Sequence, residues 1–199
     1  MKKIILSAIA ILTIGLANAQ SKGTSEGFSK GNIFVTGGFS LNNRTDNATD
    51  VKTNSFAIAP QVNYFVTENI SVGAKVGYGS SVTKNATVDL SDQSVLTFGV
   101  QGRYYFTPAS KFSLFTGLGF DYDSITNNLS NPKTKVNGFE LGLGLGLNYF
   151  VSENWGIEAT FAGLSYGTSK SDATGAKSTD TFSLGANLSA VTFGVNYKF

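Results

Sequence analysis

Apolar residues recur at every second position through most of this chain, in segments of roughly ten residues separated by polar connections. Side chains of a β-strand point alternately to its two faces, so such a pattern predicts strands that are greasy on one side and polar on the other. The cleanest example is Phe139, Leu141, Leu143, Leu145, Leu147 and Tyr149, with Gly142, Gly144 and Gly146 between the leucines. The same alternation runs from Ile33 to Leu41, Phe56 to Tyr64, Ile70 to Tyr78, Leu96 to Tyr104, Phe112 to Phe120, Trp155 to Phe161 and Val191 to Phe199. Phe182, Leu184, Ala186 and Leu188 run in the opposite phase to Val191 onward, which predicts a β-bulge near Ser189 or Ala190.

The connections alternate in length. Short turns are expected at Thr67 to Asn69, Thr107 to Lys111 and Ser152 to Asn154. Long polar loops are expected at Asn42 to Lys52, Ser80 to Gln93, Asp123 to Lys135 and Gly167 to Asp180. Eight strands, short turns at one end and long loops at the other describe an all-β fold, an eight-stranded antiparallel up-and-down transmembrane β-barrel. Mean hydropathy close to zero agrees with this, because only every second residue of a barrel strand meets lipid.

Lys2 and Lys3, the apolar run Ile4 to Leu16 and the triplet Ala17, Asn18, Ala19 read as a cleaved secretory signal peptide. The expected organisation is a signal peptide over 1–19, a periplasmic N-terminal tail over 20–30 and a barrel over 31–199. Without the leader, 13 basic residues face 13 acidic ones, so no basic excess argues for nucleic acid. The chain has no Cys and no His, which removes the usual zinc ligands, a Cys nucleophile and Ser-His or Asp-His dyads. No enzyme activity, metal or cofactor is expected.

Asn63-Tyr64-Phe65-Val66-Thr67-Glu68-Asn69 recurs as Asn148-Tyr149-Phe150-Val151-Ser152-Glu153-Asn154. Arg103 to Phe106 and Asn196 to Phe199 are weaker copies. All lie beside short turns or the C-terminus, where rings form a girdle at the headgroup level. An eight-stranded barrel is filled by side chains. Here the inward residues are expected to be Gly, Ser, Thr, Asn and Gln, with Lys75, Arg103, Glu140 and Glu158 as central charges and Asp121 and Lys198 nearer the rims. Arg103 and Glu158 come at similar depth and are expected to form a lumen ion pair, since either charge buried alone costs several kcal/mol. A gate made by these charges is the functional alternative to simple structural pairing.

These features resemble the small eight-stranded outer-membrane proteins, the barrel of outer membrane protein A and outer membrane protein X among them. The Tyr-Phe-Val-Thr-Glu-Asn turn is similar to porin-family barrel domains of Bacteroidetes. Terminal Phe193, Val195, Tyr197 and Phe199 resemble the C-terminal signal read by the barrel-assembly machinery. The resemblance implies residence in the outer membrane among lipids and lipopolysaccharide and assembly by that machinery; a monomer is expected. The expected function is a non-enzymatic structural or surface-interaction role through long extracellular loops, with a largely plugged polar lumen. The alternative is a narrow porin-like channel for ions or small solutes. Gly142, Gly144 and Gly146 alternate too regularly for a phosphate loop, and Asp121 with Asp123 lacks the rest of a calcium loop.

Overall fold

Every regular element is a strand in this computed structural model, which describes residues 27–86, 88–130, 132–186 and 192–199. The strands are β1 (Ile33–Asp46), β2 (Val51–Phe65), β3 (Ile70–Asn85), β4 (Val88–Tyr105), β5 (Phe112–Asn127), β6 (Thr134–Phe150), β7 (Trp155–Ser171), β8 (Ser178–Ala186) and β9 (Thr192–Lys198). From β1 to β7 each pairs antiparallel with the next. β8 and β9 both pair with β7 and together take the eighth place in the wall. β9 then pairs with β1, from Phe34 opposite Lys198 to Gly37 opposite Val195, and closes an eight-stranded antiparallel barrel.

The phase reversal near the C-terminus has a counterpart in the neighbouring strand. Leu145 faces Ala162 while Gly146 faces Thr160, so Phe161 is an extra residue in β7. Beyond it the lipid-side positions change from odd to even: Trp155, Ile157 and Ala159 give way to Ala162, Leu164 and Tyr166. The sequence reading carried the odd phase through Phe161, and the bulge corrects it. The bulge expected at Ser189 or Ala190 lies outside the described residues. The change of phase itself is present, because even-numbered Leu184 pairs with Leu164 and odd-numbered Val195 with Ile157.

The four long loops are also corrected. Strands run 14 to 18 residues from β1 to β7, and most of the polar connections are strand. Among the described residues, the connections shrink to 47–50, 86, 128–130 with 132–133, and 172–177. Thr53 with Thr83 (3.1 Å) and Ser55 with Ser81 (3.0 Å) share hydroxyl hydrogen bonds across β2 and β3. Asp50 and Ala86 take positive φ of 53° and 46° where those hairpins reverse. Apolar alternation is blind to this region because a ribbon beyond the bilayer has water on both faces.

The apolar band faces outward around the wall, with Leu141, Leu143 and Leu145 half-exposed and their glycine neighbours turned inward. Leu143→Arg, at mid-height on that face, is expected to lower the folding free energy by about 2–4 kcal/mol in denaturant titrations from phospholipid vesicles. Lys135→Ala, on the polar part of the same strand, should leave it unchanged within about 0.5 kcal/mol.

Candidate functional site

Inward positions stack in layers that the sequence repeat sets up. In each copy the residue before Tyr and the residue after it point into the barrel, while Tyr itself points out. The first set is Asn63, Arg103, Asn148 and Asn196; the second is Phe65, Tyr105, Phe150 and Lys198, and all but Arg103 are buried. Turn residues lock these copies together, since Asn69 Nδ2 donates to Tyr105 O and Asn154 Nδ2 to Lys198 O, both at 2.8 Å.

The layer at the short-turn end is aromatic. Phe28, Phe34, Phe65, Tyr105, Phe115 and Phe150 form one cluster with at most 4% exposure. Phe65 and Tyr105 centroids lie 5.2 Å apart, and Tyr105 and Phe115 5.4 Å. This layer overturns two expectations. The lumen is not filled by polar residues and glycine alone, and the aromatic clusters beside the turns are not purely a girdle, because one ring of each doublet turns inward. The signal was present in parity: Phe65 shares the phase of Asn63, and Phe150 that of Asn148.

Above the rings lies a polar layer. Arg103 Nη1 donates to Glu158 Oε2 at 2.8 Å, and Nη2 reaches Oε1 at 3.4 Å. Both side chains are about nine-tenths buried. The guanidinium carbon also sits 4.8 Å from the Phe115 ring centre, and Nη1 is 3.4 Å from the Tyr105 hydroxyl. Gln61 Nε2 donates to Asn63 Oδ1, and Asn196 Nδ2 to Asn148 Oδ1, each at 2.6 Å. Glu158 packs closely over Gly194, where a Cβ would lie 3.0 Å from Glu158 Cγ and push it aside by a few tenths of an ångström.

Lys75 is drawn to Asp121 at 2.7 Å, above the Arg103–Glu158 pair. Glu140 stands opposite Asp121 across β5 and β6 and has no ion pair among the described residues. Asp121 and Glu140 border a cavity of about 360 Å³ that is also lined by Gln101, Arg103, Phe115 and Ser165, among others. The terminal residues lie on the wall. Phe193, Val195 and Tyr197 face outward opposite Ala159, Ile157 and Trp155, and the Phe199 ring packs on Tyr197 at 4.8 Å. No group of His, Cys, Asp and Glu suited to a metal ion occurs among the described residues.

A closed barrel is also what the comparisons with known proteins return. The family model described as outer membrane protein beta-barrel domain matches residues 6–199. This chain belongs to that family. Solved structures place the outer-membrane barrel beside OprG of Pseudomonas aeruginosa, at 16% identity and a TM-score of 0.54, covering 88% of this chain and 99% of that one. Neisserial surface protein A is similar at 17% identity and a TM-score of 0.50, covering 89% and 100%. Identities this low speak for the fold. No curated protein is significantly similar in sequence. The protein is located in the cell outer membrane.

Breaking one partner of the buried pair in this outer-membrane barrel strands a charge beside aromatic rings. Arg103→Met or Glu158→Gln alone is therefore expected to cost about 3–5 kcal/mol. The double variant Arg103→Met, Glu158→Gln should recover at least about half of the summed loss, read as a double-mutant cycle by denaturant titration in lipid.

Proposed function

We propose that this protein is a non-enzymatic structural and surface-interaction barrel, its short-turn end in the periplasm and its hairpins extending outside the cell. The observation that carries the reading is the aromatic layer: six rings with almost no exposure fill the barrel cross-section at one end. Rings packed 4.5–6.5 Å apart leave no room there for a hydrated ion. The hairpins, rich in Ser, Thr, Asn and charged residues, are the part of the molecule offered to water, lipopolysaccharide headgroups and other surfaces. Closure of all strands within one chain supports a monomer. Outward Phe193, Val195 and Tyr197 with terminal Phe199 present the aromatic C-terminal strand through which the assembly machinery would recognise it.

A narrow channel is the second reading, and the cavity bordered by Arg103, Asp121 and Glu140 favours it. In that reading the Arg103–Glu158 pair is the gate, and water must pass the rings beneath it. The chain's lack of His and Cys leaves an acid-base or thiol mechanism without its usual groups, which supports a non-enzymatic role.

Planar-bilayer recordings separate the readings. The refolded barrel is expected to give no discrete current steps, and Glu158→Gln should remain silent because the rings still close the base. The triple variant Phe65→Ala, Tyr105→Ala, Phe150→Ala should conduct. Steps in the unaltered protein that change with Glu158→Gln would establish the channel reading instead.

A further inference from the structure

Phe28 belongs to no strand, yet it is 1% exposed. Its ring centre lies 4.5 Å from Phe34, 4.8 Å from Phe65, 4.8 Å from Phe150 and 5.4 Å from Tyr105. The segment around it is held through its backbone. Phe28 N donates to Pro108 O at 2.7 Å in the β4–β5 turn, and Gly31 N to Phe65 O at 2.9 Å. Lys198 Nζ donates to Gly27 O at 2.6 Å. Lys30 N reaches Glu68 Oε2 at 3.3 Å. Gly27 lies so close to the backbone of Pro108 and Ala109 that a Cβ would strike it, and Gly31, at φ +89°, turns the chain into β1.

The groups that hold this strap come from opposite ends of the sequence. Phe34, Phe65, Tyr105 and Phe150 stand on β1, β2, β4 and β6, Pro108 on a turn, and Lys198 on β9. Phe34 and Lys198 are themselves paired across the β1–β9 junction that closes the barrel. No single hairpin contains the site, and its two flanks meet only once β9 has joined β1.

We infer that the short-turn mouth is a binding site for an extended Gly-Phe peptide segment, that its ligand is this chain's own Gly27–Gly31, and that docking of this strap latches the closed barrel. The site selects an aromatic ring for the cage and a glycine before it, with a carbonyl offered to the Lys198 ammonium. A ligand that binds only the closed form stabilises that form. Tethering to β1 keeps the strap at high effective concentration, so it docks without a partner. Phe28 is also the one ring of the cluster that can leave without breaking a strand ladder. The latch does not depend on whether the barrel conducts.

Proteolysis tests it, since a protease needs the strap undocked to cut after Lys30 and its rate follows the undocked population. The chain from Gln20 is refolded in micelles, and cleavage at the Lys30–Gly31 bond by trypsin is followed by mass spectrometry. The unaltered strap should be protected. Phe28→Ala should be cut at least about tenfold faster while heat-modifiable gel migration shows the barrel still folded. Gly27→Ala, which keeps every ring, should behave the same way and serves if Phe28→Ala does not fold. The trimmed barrel, now starting at Gly31, should then capture a fluorescent peptide of residues 24–30 and ignore the same peptide with Ala at position 28. Equal cleavage of all three proteins, or a trimmed barrel that does not tell the two peptides apart, would overturn the proposal.

Discussion

In hydrocarbon no water is available to a free amide, so each backbone N–H and C=O within the bilayer must find a partner in the protein. A sheet meets that demand only by closing on itself. The four facing pairs between β1 and β9, from Phe34–Lys198 to Gly37–Val195, are where this chain does so. Period-two patterning, an even number of strands and both described ends at one rim all follow from that closure. So does the absence of a conventional core: the greasy face is turned out to lipid, and what packs inside must be assembled from the other face.

That inner face is stratified. Rings occupy the short-turn end, a charged and amide layer sits on them, and an open cavity continues above. The order has an electrostatic logic. Arg103 and Glu158 are nearly dry, so each needs the other at 2.8 Å, and the Phe115 face beside the guanidinium adds a favourable contact with a cation. Lys75 and Asp121, farther toward the hairpins, are roughly a quarter exposed, where water shares the work of solvating them. Glycine helps the arrangement fit: Gly146 leaves the space Phe115 occupies, and Gly194 lets Glu158 pack closely over the backbone.

Much of this was legible in the order of residues. Strand positions, the short turns, the outward leucines and the shared depth of Arg103 and Glu158 are all consequences of a strict two-residue period, which fixes face and height together. Three things were not. The hairpins beyond the membrane are dominated by Ser, Thr, Asn and charged residues, with only scattered apolar positions such as Val88 and Leu90, so their strands leave too weak a hydropathic trace and read as loops. Phe161 disturbs the period by one residue, and a single apolar residue in a bulge is indistinguishable from the next member of the series. Phe65, Tyr105 and Phe150 were visible by parity, but a membrane barrel gives aromatics a second place at the headgroups, and the doublets suited that place equally well.

Sequence by itself determined the architecture and the membrane, because alternation of apolar and polar side chains is a local property that each strand carries alone. The tertiary structure decided what the interior is. Lys75 could have met Glu140 or Asp121, and only the register of β3, β4 and β5 brings it to Asp121. Phe28, outside every strand and without periodicity to declare it, gains its meaning from four rings supplied by β1, β2, β4 and β6. Contacts of that kind join residues far apart in the chain, and they exist only where closure of the barrel has brought the strands into a circle.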